Sequence, residues 1–254
     1  MRLLAYSCLI ALAAFSAQAA PVAASVPALT GGDADMYKFS QEVTDVDPLE
    51  GFNRAMFSVN RVIDRGLLRP VVQGYQFIVP EAGRRSVDNF VDNLYQPVVF
   101  LNSVLQADPQ NSFATLWRFL LNTSFGVLGL FDFAGEVGLE NRSADFGQTL
   151  GSWGMGSGSY LYLPIIGPSS ARDLAGRGVD MLTDPFNYID NGVTMVKTGI
   201  TIVDKRSENS KLIDDIYDNS LDPYATFRSG YLQKRRADVQ LAIDGRNQAR
   251  AKTQ

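Results

Sequence analysis

Carboxylates, lysines and hydroxyls are the only groups with which this chain could do chemistry. Histidine is absent from all 254 residues, and the one cysteine, Cys8, sits near the start. Ser-His-Asp and Cys-His catalysis, His-ligated zinc and imidazole pH sensing are therefore excluded together. Glu50, Glu81, Glu136, Glu140 and Asp145 are raw material for a Glu/Asp pair of the glycan-cleaving type, yet nothing in the sequence pairs them. The run "WGMGSGS", with Gly154, Gly156 and Gly158, has the glycine spacing of a phosphate loop. It lacks a preceding strand and a Gly-Lys-Ser/Thr, so its glycines are expected to serve tight backbone packing. No catalytic residue, metal or cofactor is expected.

The elements around these residues point to export and to helices. "MRLLAYSCLIALAAFSAQAA" has one early cation, an apolar run from Leu3 to Phe15, and Ala17-Gln18-Ala19. That is the pattern of a secretory signal cleaved after Ala19, and Cys8 leaves with it. "AYSC" does not fit a lipid-acceptor site, because its apolar run is too short and Tyr6 stands where a small or aliphatic residue belongs. The mature chain then has no disulfide. Residues 20–44 are expected to form a flexible tether, 45–236 a helical domain, and 237–254 a C-terminal helix end or tail. With 46% hydrophobic side chains the chain can bury one sizeable core. The formal charge of −4 becomes −5 once Arg2 is removed. No basic stripe precedes the short "QKRRAD" (Lys234, Arg235, Arg236), which reads as a solvated helix face, so no nucleic-acid partner is expected.

Helix grammar repeats along the rest. Asp47 reads as N-cap before Pro48, and Leu49, Phe52, Met56, Val59 and Ile63 then recur at spacings of 3 and 4. "PEAGRRSVDNFVDNLYQP" predicts a helix ending before Pro97, and "PVVFLNSVLQAD" a short one after it. Asp108-Pro109, Asp184-Pro185 and Asp222-Pro223 open further helices, the last with Tyr224, Phe227 and Tyr231 on one side. Phe186, Ile189, Val193, Val196, Ile200 and Val203 form another apolar seam. The glycine-joined run "WGMGSGSYLYLPIIGPS" (153–169) should be loop, with extended pieces around Tyr160 to Leu163. The class is all-α.

"LWRFLLNTSFGVLGLFDFAG", residues 116–135, is about long enough to span a bilayer. Arg118, Asn122 and Asp132 each cost a few kcal/mol in hydrocarbon, and Asn122 to Gly126 weakens the helix midway. The expected geometry is a helix to Asn122, a turn near 123–126 and a glycine-hinged apolar segment to Gly135. Amphipathic helices of this kind either pack on one another or lie in a membrane interface. Periodicity leaves both open.

"DPLEGFNRAMF" (47–57), "RFLLNTSFGVLGLFDFA" (118–134), "DFGQTLGSWGMGSGSYLYLPIIGPSSARD" (145–173) and "LDPYATFRSGYLQ" (221–233) together resemble the MlaA (VacJ) family over about residues 45–235. The resemblance implies a ring-like bundle of amphipathic helices around a central channel, lying in the inner leaflet of the outer membrane. It implies that phospholipid mislocalised in the outer leaflet passes through the channel to a periplasmic lipid carrier protein, maintaining lipid asymmetry, with a trimeric porin as partner. By resemblance Asn122, Phe125, Gly126, Leu128, Gly129, Leu130, Phe131 and Asp132 form the channel hairpin, with Gly126 and Gly129 as hinges. Phe52, Asn53, Met56, Phe57 and Asn60 would wall the channel, and Phe186, Val193 and Ile200 would face the membrane. Family members are typically lipoproteins; the missing lipid-acceptor cysteine is a departure. Two other classes remain at this level: a soluble periplasmic helical lipid-binding scaffold and a carboxylate-dependent cell-envelope hydrolase.

Overall fold

The computed structural model describes residues 47–189 and 191–252. The signal and tether expected over 1–19 and 20–44, Cys8 included, lie outside the described residues. The elements are α1 (Glu50–Ile63), a π-helical turn (Asp64–Leu68), α2 (Arg69–Ile78), α3 (Glu81–Leu105), α4 (Pro109–Ser124), α5 (Phe133–Glu136), α6 (Phe146–Ser152), β1 (Tyr160–Leu163), β2 (Gly167–Ser170), α7 (Ala171–Thr183), a 3₁₀ turn (Pro185–Tyr188), α8 (Asn191–Glu208), α9 (Ser210–Asn219) and α10 (Pro223–Ala251). The chain is all-α apart from the antiparallel hairpin β1–β2, in which Tyr160 pairs with Ser170 and Leu163 with Gly167.

All four Asp-Pro pairs cap backbone. Asp108 accepts from the Asn111 N–H at 3.0 Å, Asp184 from Phe186 at 3.0 Å and Asp222 from Ala225 at 3.1 Å. Asp184-Pro185 opens only the 3₁₀ turn, not a long helix. Asp47 accepts from Leu49 at 3.1 Å, so it caps a turn and α1 starts two residues later than expected. The expected break at Pro97 is absent, and α3 runs through it for 25 residues. Proline removes one ladder bond there, and packing along the whole length of α4 outweighs that loss. α1, the π turn and α2 are also continuous. Arg69 bonds back to the Asp64 carbonyl, a five-residue step that widens the helix just before Pro70. The wider turn relieves the clash that a proline ring makes with the carbonyl four residues back.

Neighbouring elements close a circuit: α1 and the π turn, then α2, α8, α3, α6, α10, β2, β1 and back to α1; α9 touches both α8 and α10. Its aromatic corner lies at the hairpin. Phe57, Tyr160, Tyr162, Ile213, Tyr217, Tyr224, Tyr231 and Leu232 are buried together, with Phe57 edge-on to Tyr162 at 5.2 Å. On α10 this is the expected side, Tyr224, Phe227 and Tyr231; on α1 it is Phe57 with Met56, whereas Leu49, Phe52 and Val59 of the expected seam are exposed.

Elsewhere the joints are ionic. Arg235 reaches Asp145 at 2.7 and 2.9 Å and Asp173 at 2.9 Å, joining α10 to α6 and α7. It is buried, correcting the solvated-face reading of "QKRRAD". Arg206 on α8 likewise reaches Asp64 in the π turn and Asp214 on α9. Gly147 and Gly176 let α6 and α7 cross in contact: a Cβ on Gly147 would lie 2.6 Å from Asp173 Oδ1. Close packing is therefore their role, whereas Gly154 and Gly156 have open space.

Asp180, accepting from the Phe146 N–H and the Asn102 amide, is different. Burial first, and then the Asp145 charge, push its carboxyl up to about 7. Because the folded-state pKa is raised, its stabilising contribution is complete below about pH 4 and is lost as pH rises through about 7. Asp180→Asn should therefore gain on the wild type by roughly 1–3 kcal/mol between about pH 5 and pH 8. Thermal melts across that range check it, and parallel pH profiles for the two proteins would refute it.

Candidate functional site

Fully buried side chains are polar more often than apolar. Among the described residues, 27 buried polar or charged side chains stand against 15 buried apolar ones. Large apolar side chains cover the outside instead: Val62 at 72% exposure, Phe77 at 91% and Ile78 at 77% on the α1–α2 helix, Phe113 and Trp117 on α4, and Met195 and Val196 on α8. Scattered apolar residues on a surface are ordinary, but many large ones along the same helices are what an interface with a partner or a membrane requires. No helix among the described residues is long and apolar enough to cross a membrane.

The 116–135 segment folds as a helix end and a tight loop. α4 runs to Ser124, and the Gly126, Leu128 and Gly129 N–H groups bond back to Leu121, Thr123 and Asn122. Val127, Leu128 and Gly129 all have positive φ, at 53°, 61° and 97°. A β-branched valine there is an outlier held by its surroundings. The surroundings are polar. The Asn93 amide donates to Thr123 Oγ1 at 3.0 Å and to the Leu128 carbonyl at 3.3 Å. Buried Asn122 accepts from the Ala134 N–H at 2.8 Å and donates to Asp132 Oδ1 at 2.9 Å. Asp132 also accepts from Arg118 at 2.7 Å and from the Gly135 N–H at 3.1 Å. Burial alone would raise the Asp132 carboxyl, but the hydrogen bonds from Arg118 and Asn122 hold it below the usual range. This scaffold presents Phe125, Val127, Leu128, Leu130 and Phe131 to the exterior.

Gly126 and Gly129 are close-contact points. A Cβ on Gly126 would sit 2.6 Å from the Asn122 carbonyl, and one on Gly129 2.5 Å from the Asn93 Cβ. Arg118 and Asn93 went unrecognised in the sequence; an arginine amid an apolar run was the available signal for the first.

The wall residues divide. Asn53 is fully buried, donating to the Tyr160 carbonyl at 3.1 Å and accepting from the Tyr162 N–H at 2.9 Å. Asn60 accepts from the Ile165 N–H at 2.7 Å and donates to the Tyr162 hydroxyl at 3.1 Å. Phe57 is core, and Met56 packs on it. These four dock α1 onto the hairpin, because β1's edge groups need partners; Phe52 alone is exposed. On the rim, Ile200 is exposed and Phe186 half-buried, 5.4 Å from the Lys197 ammonium. The Val193 side chain lies outside what the structure describes.

The candidate acids do not converge. Glu50 pairs with Arg54 and Glu81 with Arg85, one turn along their own helices. Glu136 and Glu140 are exposed. Burial pushes the Asp145 carboxyl up, but the charge and hydrogen bonds of Arg235, with the Gln148 N–H, together hold it below the usual range. No cluster of three or more metal-capable side chains occurs among the described residues.

Gly129→Val should cost at least about 2 kcal/mol, from an unfavourable φ and a clash with Asn93. Gly156→Ala, in open space, should stay within about 0.5 kcal/mol of wild type. Denaturant unfolding compares them, and coincident midpoints would show that the loop does not constrain the backbone.

This chain is similar to known proteins in sequence and in fold. A family model described as MlaA lipoprotein matches residues 45–238. A Rickettsia bellii protein is 39% identical over 204 residues, 76% of this chain and 77% of its own. The intermembrane phospholipid transport system lipoproteins MlaA of Haemophilus influenzae and Escherichia coli are 37% and 34% identical, each covering 74% of this chain and 76% of their own. A solved structure presented as the structural basis for maintenance of bacterial outer membrane lipid asymmetry superposes with a TM-score of 0.70 at 34% identity, over 77% of this chain and all of that one. This chain belongs to the MlaA family.

Proposed function

We propose that the protein transports phospholipid between membranes. It sits in the outer membrane and takes mislocalised phospholipid from the outer leaflet through an amphipathic opening within the helix circuit. It passes the lipid to a soluble periplasmic carrier and keeps the membrane asymmetric. A trimeric porin is its membrane partner. The names of its relatives support the lipid and the membrane. The observation that carries the reading is the distribution itself: apolar side chains outside and polar ones inside suit helices immersed in acyl chains around a headgroup-tolerant interior. The scattered carboxylates favour transport over hydrolysis.

Attachment needs no acyl anchor on this reading. Each large apolar side chain moved from water into hydrocarbon contributes roughly 1.5–3 kcal/mol. One acyl chain gives only about 5 kcal/mol, which three or four rim residues match. Phe77, Ile78 and Val62 alone approach that figure.

In the hairpin, Phe125, Leu128, Leu130 and Phe131 meet the passing acyl chains. Phe131→Asp should abolish complementation in cells lacking the native protein, read as outer-leaflet phospholipid, with the helical circular dichroism unchanged. A variant that restores asymmetry as well as wild type would remove the hairpin from the pathway. Recovery of the wild type wholly in the soluble periplasmic fraction would remove the membrane from the reading.

A further inference from the structure

A polar groove that none of the preceding roles uses lies between the end of α3, residues 141–143, α6 and α10. Its volume is about 180 Å³ and it opens to solvent, smaller than the roughly 300–1,000 Å³ of drug-sized ligand sites and on the scale of a small polar group. Gln148 is on its wall, only 1% exposed, and its Nε2 has no partner within the protein. The backbone N–H of the same residue caps α6 through Asp145 at 2.8 Å, so the side chain is not needed there. A buried amide donor left unmet costs about 1–3 kcal/mol, which asks for an acceptor from outside.

The neighbours specify that acceptor. Arg142 lines the groove, and its Nη2 is fixed by Asp108 at 2.9 Å and the Leu241 carbonyl at 3.3 Å. Ser143 places a hydroxyl at the exposed lip. Asn141, anchored to Asp92 at 3.2 Å, completes the side. A guanidinium, a carboxamide and a hydroxyl converging on one space suit a phosphoryl oxyanion. Asp238, paired with Lys234 at 2.9 Å, also lines it. That carboxylate opposes a bare phosphate dianion and suits a cationic or hydroxyl-bearing substituent.

The geometry points to a binding site for the phosphodiester headgroup of a glycerophospholipid, one bearing an amine or hydroxyl substituent. The assignment rests on the transport reading and adds to it a place where the headgroup is recognised.

Titration calorimetry on the full-length protein in mild detergent tests it, with glycerophosphoethanolamine and inorganic phosphate as probes. Wild type should bind glycerophosphoethanolamine saturably and inorganic phosphate at least about 10-fold more weakly. Gln148→Leu, which sacrifices no internal bond, and Ser143→Asp, at the exposed lip, should each weaken glycerophosphoethanolamine by about 10-fold or more, equivalent to about 1.4 kcal/mol. Asp238→Asn should narrow the gap between the probes. Absence of saturable binding, or binding indifferent to both variants, overturns the site. Equal affinity for the two probes overturns the lipid headgroup and leaves an anion site. If wild type restores asymmetry in cells while the groove binds nothing, only this assignment falls. If wild type fails to restore asymmetry, the transport reading falls with it.

Discussion

A protein that turns apolar helix faces outward cannot use those faces to hold its helices together. The joints must then be polar, and each buried donor or acceptor left unmet in them is costly, because an orphaned one costs more than a made bond contributes. Arg235 between Asp145 and Asp173, and Arg206 between Asp64 and Asp214, are the plainest results of that constraint. Removing one partner of such a buried pair leaves an uncompensated charge, typically a loss of about 3–5 kcal/mol. The aromatic corner around Phe57 is the exception, a conventional core confined to the place where α1, α9 and α10 meet the hairpin.

The same constraint explains the loop after α4. Its apolar side chains can stand outward only because its backbone is tied from behind by Asn93, Asn122, Asp132 and Arg118. Glycine at 126 and 129 is required by proximity, with φ adding to the demand at 129. Rigid presentation of a greasy tip and an irregular backbone are compatible here because the polar layer beneath satisfies the peptide groups.

Local rules carried far. The helix caps at Asp108 and Asp222 and the extended piece at Tyr160–Leu163 are dictated by residues close in sequence and appear where expected, whereas Asp47 caps only a turn and Asp184 only a 3₁₀ turn. Pro97 misled because tertiary packing along α4 overrides a single lost bond, which no local rule detects. Asn53 and Asn60 misled differently: an amide on an amphipathic helix reads the same whether it faces a polar lumen or a β-strand 107 residues away. Arg235 looked solvated because its partners, Asp145 and Asp173, are 90 and 62 residues distant. The outward direction of the apolar faces was likewise illegible from periodicity, which gives a stripe but not what it touches.

The circuit of neighbours has a consequence for biogenesis. It closes only when α10, the final helix, docks against β2 and α6, and Tyr224 then bonds to Asp47 across 177 residues. Such long-range closure is slow relative to local helix formation, and partly assembled chains with exposed greasy surface aggregate readily. Until α10 has docked, the polypeptide is an open arc whose greasy faces and unpaired ion partners are both uncovered.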